Sequence, residues 1–108
     1  MSTVTELTND SFAGEMSKND MSLLDFFANW CGPCKTMAPH LDDYASKDKV
    51  PVYAVDVDAQ ADLVSTFKIV SMPTLILVDS AGKEITRSVG SKSISGIEAF
   101  IKESLETK

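Results

Sequence analysis

The chain has 108 residues, 44% hydrophobic and 24% charged, which suits one soluble globular domain with a single core and is too small for two. Ten basic against sixteen acidic residues leave a net charge of −6, and no basic patch is interleaved with aromatics, so nucleic acid and an anionic membrane are not expected partners. No apolar run approaches the roughly 20 residues that span a bilayer, and residues 1–7 carry neither the pattern of an export leader nor that of a transit peptide.

Thr3 to Leu7 alternates weakly and predicts a short first strand. Thr8 or Asn9 is the expected N-cap of a short helix that buries Phe12 and Met16 and stops in the polar cluster Ser17 to Asp20. Met21 to Ala28 is apolar apart from Ser22 and Asp25, as in a strand covered on both faces. A helix follows from about Cys34, with Met37, Leu41, Tyr44 and Ala45 on its buried face and a kink expected near Pro39. A polar turn from Lys47 to Pro51 leads to the β-branched strand Val52 to Val57, and Gln60 to Phe67 reads as a short helix. Thr74 to Val78 and Lys83 to Val89 form a hairpin around Asp79-Ser80-Ala81-Gly82. Ser95 with Glu98 suggests a capping box for a last helix carrying Ile97, Ile101 and Leu105, with Lys102 and Lys108 toward its positive-tolerating end. Helices alternating with strands, then a hairpin and a helix, predict an α/β/α sandwich on a mixed sheet.

The chemistry gathers where the central strand ends. Cys31 and Cys34 are the only cysteines, too close in sequence to staple a small secreted fold; with no export leader expected, a cytoplasmic location and a catalytic disulfide follow. Disulfide exchange needs an accessible thiolate and a second thiol that resolves the mixed disulfide. Cys31, at the strand-to-helix turn, is expected to be the exposed nucleophile stabilised by the helix N-terminus, and Cys34, one turn in, the more buried resolver. Gly32 leaves room for a substrate backbone, and Pro33 restricts the turn at a helix position that tolerates proline. Asp25 inside an apolar strand predicts a raised pKa and a proton acceptor for Cys34; the alternative is a carboxylate paired with a lysine for structural reasons. Trp30 beside the nucleophile is expected to shape the contact surface. Met72-Pro73 before a strand could present the Met72 peptide groups to an extended substrate, and the residues alone leave the isomer of that bond open.

Asp-Phe-Phe-Ala-Asn-Trp-Cys-Gly-Pro-Cys-Lys (25–35) and Ser71-Met72-Pro73-Thr74 resemble the two signatures of the thioredoxin family, and the resemblance runs from Thr3 to about Leu105. It implies the thioredoxin fold, a mixed central sheet flanked by four helices, as a single domain over residues 1–108. It implies a cis Met72-Pro73 bond and a groove wall at Val89-Gly90-Ser91, where a simple strand-ending glycine is the alternative. It further implies a general protein-disulfide reductase that holds no cofactor or metal. Its partners would be disulfide-containing proteins and an NADPH-dependent thioredoxin reductase, and a monomer is expected. Several family members carry Lys where this chain has Ala54, and many carry a second Trp where it has Phe27. A lowered Cys31 pKa of about 7, the value associated with thioredoxin, would raise the thiolate fraction at neutral pH about 16-fold. It would also cut intrinsic nucleophilicity about 5-fold, for a net gain of about 3-fold. Positioning of the resolving thiol is expected to contribute more.

Three other readings remain. Gly-His between the cysteines is common in oxidase and isomerase relatives, and Gly-Pro resembles the reducing members. A redox-independent binding module would not need Cys31, Cys34, Asp25 and Met72-Pro73 together. Two cysteines and one histidine fall short of a closed zinc site.

Overall fold

A computed structural model describes residues 4–47 and 50–106; Thr3, residues 48–49 of the expected turn, and Lys108 lie outside them. The elements run β1 (Thr5–Glu6), α1 (Phe12–Met16), β2 (Met21–Phe27), α2 (Gly32–Lys47), β3 (Val52–Asp56), α3 (Ala61–Phe67), β4 (Thr74–Asp79), β5 (Glu84–Val89) and α4 (Ile94–Glu106). The strands form one sheet in the order β1-β3-β2-β4-β5. β1, β3 and β2 are parallel neighbours, and β4 pairs antiparallel with both β2 and β5. The mixed sheet with four helices is the expected architecture.

Alternation along the strands sorts the core into two halves. Leu24 and Phe26 of β2 join Tyr53, Val55, Ile76 and Val78 on one face, covered by Met16 of α1 and by Leu63 and Phe67 of α3. Leu23 of β2 joins Val52 and Leu75 on the other, under Met37, Leu41 and Tyr44 of α2 and Ile97 and Ile101 of α4. β2 is central and covered on both sides, which explains its nearly unbroken apolar run. Asp25 lies on the α2 face of that strand, in register with Ala54 and Leu75.

Several boundaries depart from the expectations. Neither Thr8 nor Asn9 is the N-cap of α1: Ser11 occupies that position, and its backbone amide and Oγ bond with the Oγ1 and amide of Thr8. Asn9 faces α3 instead, where its Oδ1 accepts the Leu63 amide at 3.1 Å. α4 starts one residue before Ser95, and Ser93 supplies the cap, its Oγ accepting the Gly96 amide at 3.2 Å. The helix α2 opens at Gly32, two residues before Cys34, and runs on through Pro39. In the hairpin, Gly82 adopts φ +78°, and Oδ1 of Asp79 accepts the amides of Ala81 and Lys83. A register shift follows between Leu77 and Val78.

Candidate active site

The cysteine turn is set by the end of β2. The Cys31 amide donates to the Ala28 carbonyl at 3.1 Å, closing the turn, and the Cys31 carbonyl accepts from Lys35 at 3.3 Å in the first turn of α2. The Cys34 amide donates to Sγ of Cys31 at 3.2 Å. Cys31 and Cys34 are joined as a disulfide with their Cα atoms 5.3 Å apart, within the range that a bridge spans without backbone movement. Gly32 and Pro33 are exposed at the helix start.

The expected contrast in exposure between the two sulfur-bearing residues is absent. Cys31 is 6% and Cys34 5% exposed, because the bridge covers each sulfur with the other and the pair packs with Ala28 against Phe27, Val57 and Met72. What separates the two cysteines is the helix amide aimed at Cys31, a partial positive charge that favours an anion on that sulfur.

The Met72-Pro73 peptide is cis, as the resemblance implied. The β4 ladder starts at Thr74, so Met72 lies outside it, and its side chain is half-buried against the cysteine turn. The Pro73 carbonyl accepts the Gly90 amide at 2.9 Å, and Thr74 pairs with Val89, which ties the end of β5 to the proline. Gly90 takes φ +107°, with no atom within 4 Å of where a Cβ would stand, so the backbone conformation rather than crowding calls for glycine. Val89 and Ser91 on either side are exposed.

Trp30 is 69% exposed, yet its indole is held: Nε1 donates to Oδ2 of Asp58 at 3.0 Å. Asp58 follows β3, where its amide donates to Oδ1 of Asp56 at 3.0 Å. Asp58 and Val70 are not singled out by the sequence, and Val57 is expected there only as a strand residue, although the carboxylates flanking it at the strand end are a readable signal. Val70 is 93% exposed two residues before Met72, extending the apolar surface there.

Asp25 is 7% exposed, and its Oδ1 has no hydrogen-bond partner among the described residues. Burial pushes its carboxyl up to about 7. It shares a cavity of about 370 Å³ with Cys34, Lys35, Leu41 and Ala54. A space of that size between polar groups can hold water, so a proton could pass between the carboxyl and the Cys34 sulfur without direct contact.

A family model described as Thioredoxin matches residues 3–103. This chain belongs to the thioredoxin family. A thioredoxin of Mycobacterium bovis is 40% identical over 94 residues, 84% of this chain and 80% of its own length. A thioredoxin of Alicyclobacillus acidocaldarius is 36% identical over 102 residues, covering 93% and 96%. A bifunctional thioredoxin reductase/thioredoxin of Mycobacterium leprae is 42% identical over 90 residues, and the match spans 81% of this chain but only 19% of that larger protein. The protein is a thiol-disulfide oxidoreductase, and its redox couple is the Cys31–Cys34 pair. Among the described residues no helix is long and apolar enough to cross a membrane.

Proposed function

We propose that the chain is a general protein-disulfide reductase in which Cys31 attacks and Cys34 resolves. The carrying observation is the Cys34 amide 3.2 Å from Sγ of Cys31 at the start of α2, a donor placed to stabilise a thiolate there. In the first step the Cys31 thiolate attacks one sulfur of a substrate disulfide, forming a mixed disulfide and releasing the other substrate sulfur as a thiolate that takes a proton from solvent. In the second, Cys34 gives its proton to the Asp25 carboxylate through cavity water and attacks Sγ of Cys31. The second substrate sulfur leaves as a thiolate that takes a proton from solvent, and the Cys31–Cys34 bridge remains. Two electrons have moved from the dithiol to the substrate.

Trp30, Gly32, Pro33, Met72, Pro73, Val89, Gly90 and Ser91 form the substrate surface in this reading. The Met72 peptide groups, outside the β4 ladder, are the docking edge for an extended chain, and the exposed Trp30 and Val89 give it apolar flanks. The dithiol is regenerated by an NADPH-dependent thioredoxin reductase. The M. leprae relative, whose name joins a thioredoxin reductase to a thioredoxin, supports such a partner. The protein itself carries no cofactor or metal and works as a single-domain monomer over residues 1–108 in the cytoplasm.

Insulin reduction driven by dithiothreitol tests the assignments. Wild type is active, Cys31→Ser is inactive, and Cys34→Ser accumulates a mixed disulfide with substrate. Activity that survives loss of Cys31 would sink the mechanism.

A further inference from the structure

We propose that the cavity over Ala54 binds a small primary alkylammonium cation, held between the carboxylates of Glu6 and Asp25. The sheet register sets the arrangement. Glu6 on β1 is the partner of Ala54 on β3, and Ala54 is the partner of Asp25 on β2. Residues in register share a face, so the Ala54 methyl sits in a row with a carboxylate on either side. Neighbouring strands lie about 4.8 Å apart, which separates the two acidic residues by about 10 Å at the backbone and leaves a gap above the methyl. Helix α2 lines the same cavity with Lys35, Ala38, Leu41 and Asp42.

One wall of the gap is a carboxylate oxygen that no protein group among the described residues satisfies. Asp25 is 93% buried, lines the cavity, and leaves its Oδ1 without a partner among the described residues. Among the described residues, the charges around the space are Glu6 from β1, Asp25 from β2, and Lys35 and Asp42 from α2, a negative balance; Cys34 is the one other titratable residue of those described there and is held in the disulfide. Between the carboxylates the walls are aliphatic: Ala38, Leu41 and Ala54. An occupant therefore needs a compact cationic head with several N–H donors and a short apolar stem. A metal ion fits worse, because no three His, Cys, Asp or Glu side chains among the described residues are grouped to ligate one. An ammonium group needs only acceptors on its two sides and tolerates the wider spacing.

Titration of the oxidised full chain with propylammonium chloride at pH 8, followed by amide chemical shifts, tests the site against sodium chloride at matched ionic strength. The expected result is saturable shifts at Glu6, Asp25, Leu41 and Ala54 that sodium does not produce. Glu6→Gln weakens binding about fivefold, the scale of one partly screened charge-assisted hydrogen bond, and Ala54→Leu, which fills the gap, abolishes it. Glu6 is exposed, so its variant decides the matter even where Ala54→Leu fails to fold. Shifts common to both salts, a Glu6→Gln protein that binds as tightly as wild type, or saturable binding in a folded Ala54→Leu protein overturns the proposal. The readout is binding alone, so it stands or falls separately from the assignments for Cys31 and Cys34.

Discussion

Asn9 caps a helix to which it does not belong: its Oδ1 accepts the Leu63 amide, 54 residues away, at 3.1 Å. Its own amide donates to Oε1 of Gln60 at 2.8 Å, so the loop before α1 and the start of α3 are clasped from both sides. Gln60, the residue at the N-cap position of α3, makes no side-chain capping bond of its own. Replacing Asn9 by Ala removes a cap and is expected to cost about 1 kcal/mol in urea unfolding. Amide exchange should quicken at Leu63 while α1 keeps its protection. Quickening confined to α1 would mean that Asn9 acts on its own helix.

Burial of Asp25 makes stability depend on pH. Burial holds its carboxyl at about 7 in the folded protein, above the ordinary value of 3.8, so the native protein holds a proton that the unfolded chain releases across that window. The contribution is intact below about pH 4 and is lost as pH rises to about 7, a loss of about 4 kcal/mol if the whole shift is expressed. Asp25→Asn is therefore expected to stabilise the protein by about 2 to 4 kcal/mol at pH 8 and to change little at pH 4, measured by urea unfolding at both values. An equal gain at both pH values would assign the effect to packing rather than to ionisation.

How far the sequence could be read depended on whether the signal was local. β2 was legible because strand length, apolar run and the break at Cys31 to Pro33 all lie within a dozen residues, and Asp25 stood out because its neighbours are apolar. The family signatures identified Met72-Pro73 for the same reason. Asn9 was assigned to the wrong helix because a capping residue next to one helix start looks the same whether it serves that start or a distant one. The spacing from Ser95 to Glu98 fits a capping box, whereas the cap, Ser93, depends on where the chain enters α4, one residue before Ser95. The equal burial of Cys31 and Cys34 could not be read either, since it arises from the bridge and from Val57 and Met72, which only folding brings to the turn.

Gly82 and Gly90 share a positive φ but not their surroundings, and this separates two costs. A Cβ on Gly82 would stand 2.6 Å from the Phe12 ring, while one on Gly90 would meet nothing within 4 Å. Gly90→Ala should cost about 1 to 2 kcal/mol for the backbone alone. Gly82→Ala should cost about 1 kcal/mol more, because the Phe12 ring, packed edge-on to Phe67 at 5.8 Å, must shift. Urea midpoints of the two variants measure the difference, and equal costs would mean that the ring moves freely.

Trp30 and Asp58 make the last comparison, since an exposed hydrogen bond can hold a functional surface in place while adding little to stability. The indole is 69% exposed, so its bond to Asp58 competes with water and should be worth about 0.5 kcal/mol or less to folding. Its effect on substrate should be larger. A free indole samples several rotamers beside Cys31, and ordering one such side chain on binding costs about 0.5 to 1.5 kcal/mol. Asp58→Ala is therefore expected to lower kcat/KM for insulin reduction about 2- to 10-fold, mainly through KM, with an unfolding midpoint close to wild type. Asp58→Asn keeps an oxygen acceptor for Nε1 and should recover most of the loss. A stability loss above about 1.5 kcal/mol with unchanged kcat/KM would make the pair a structural tie.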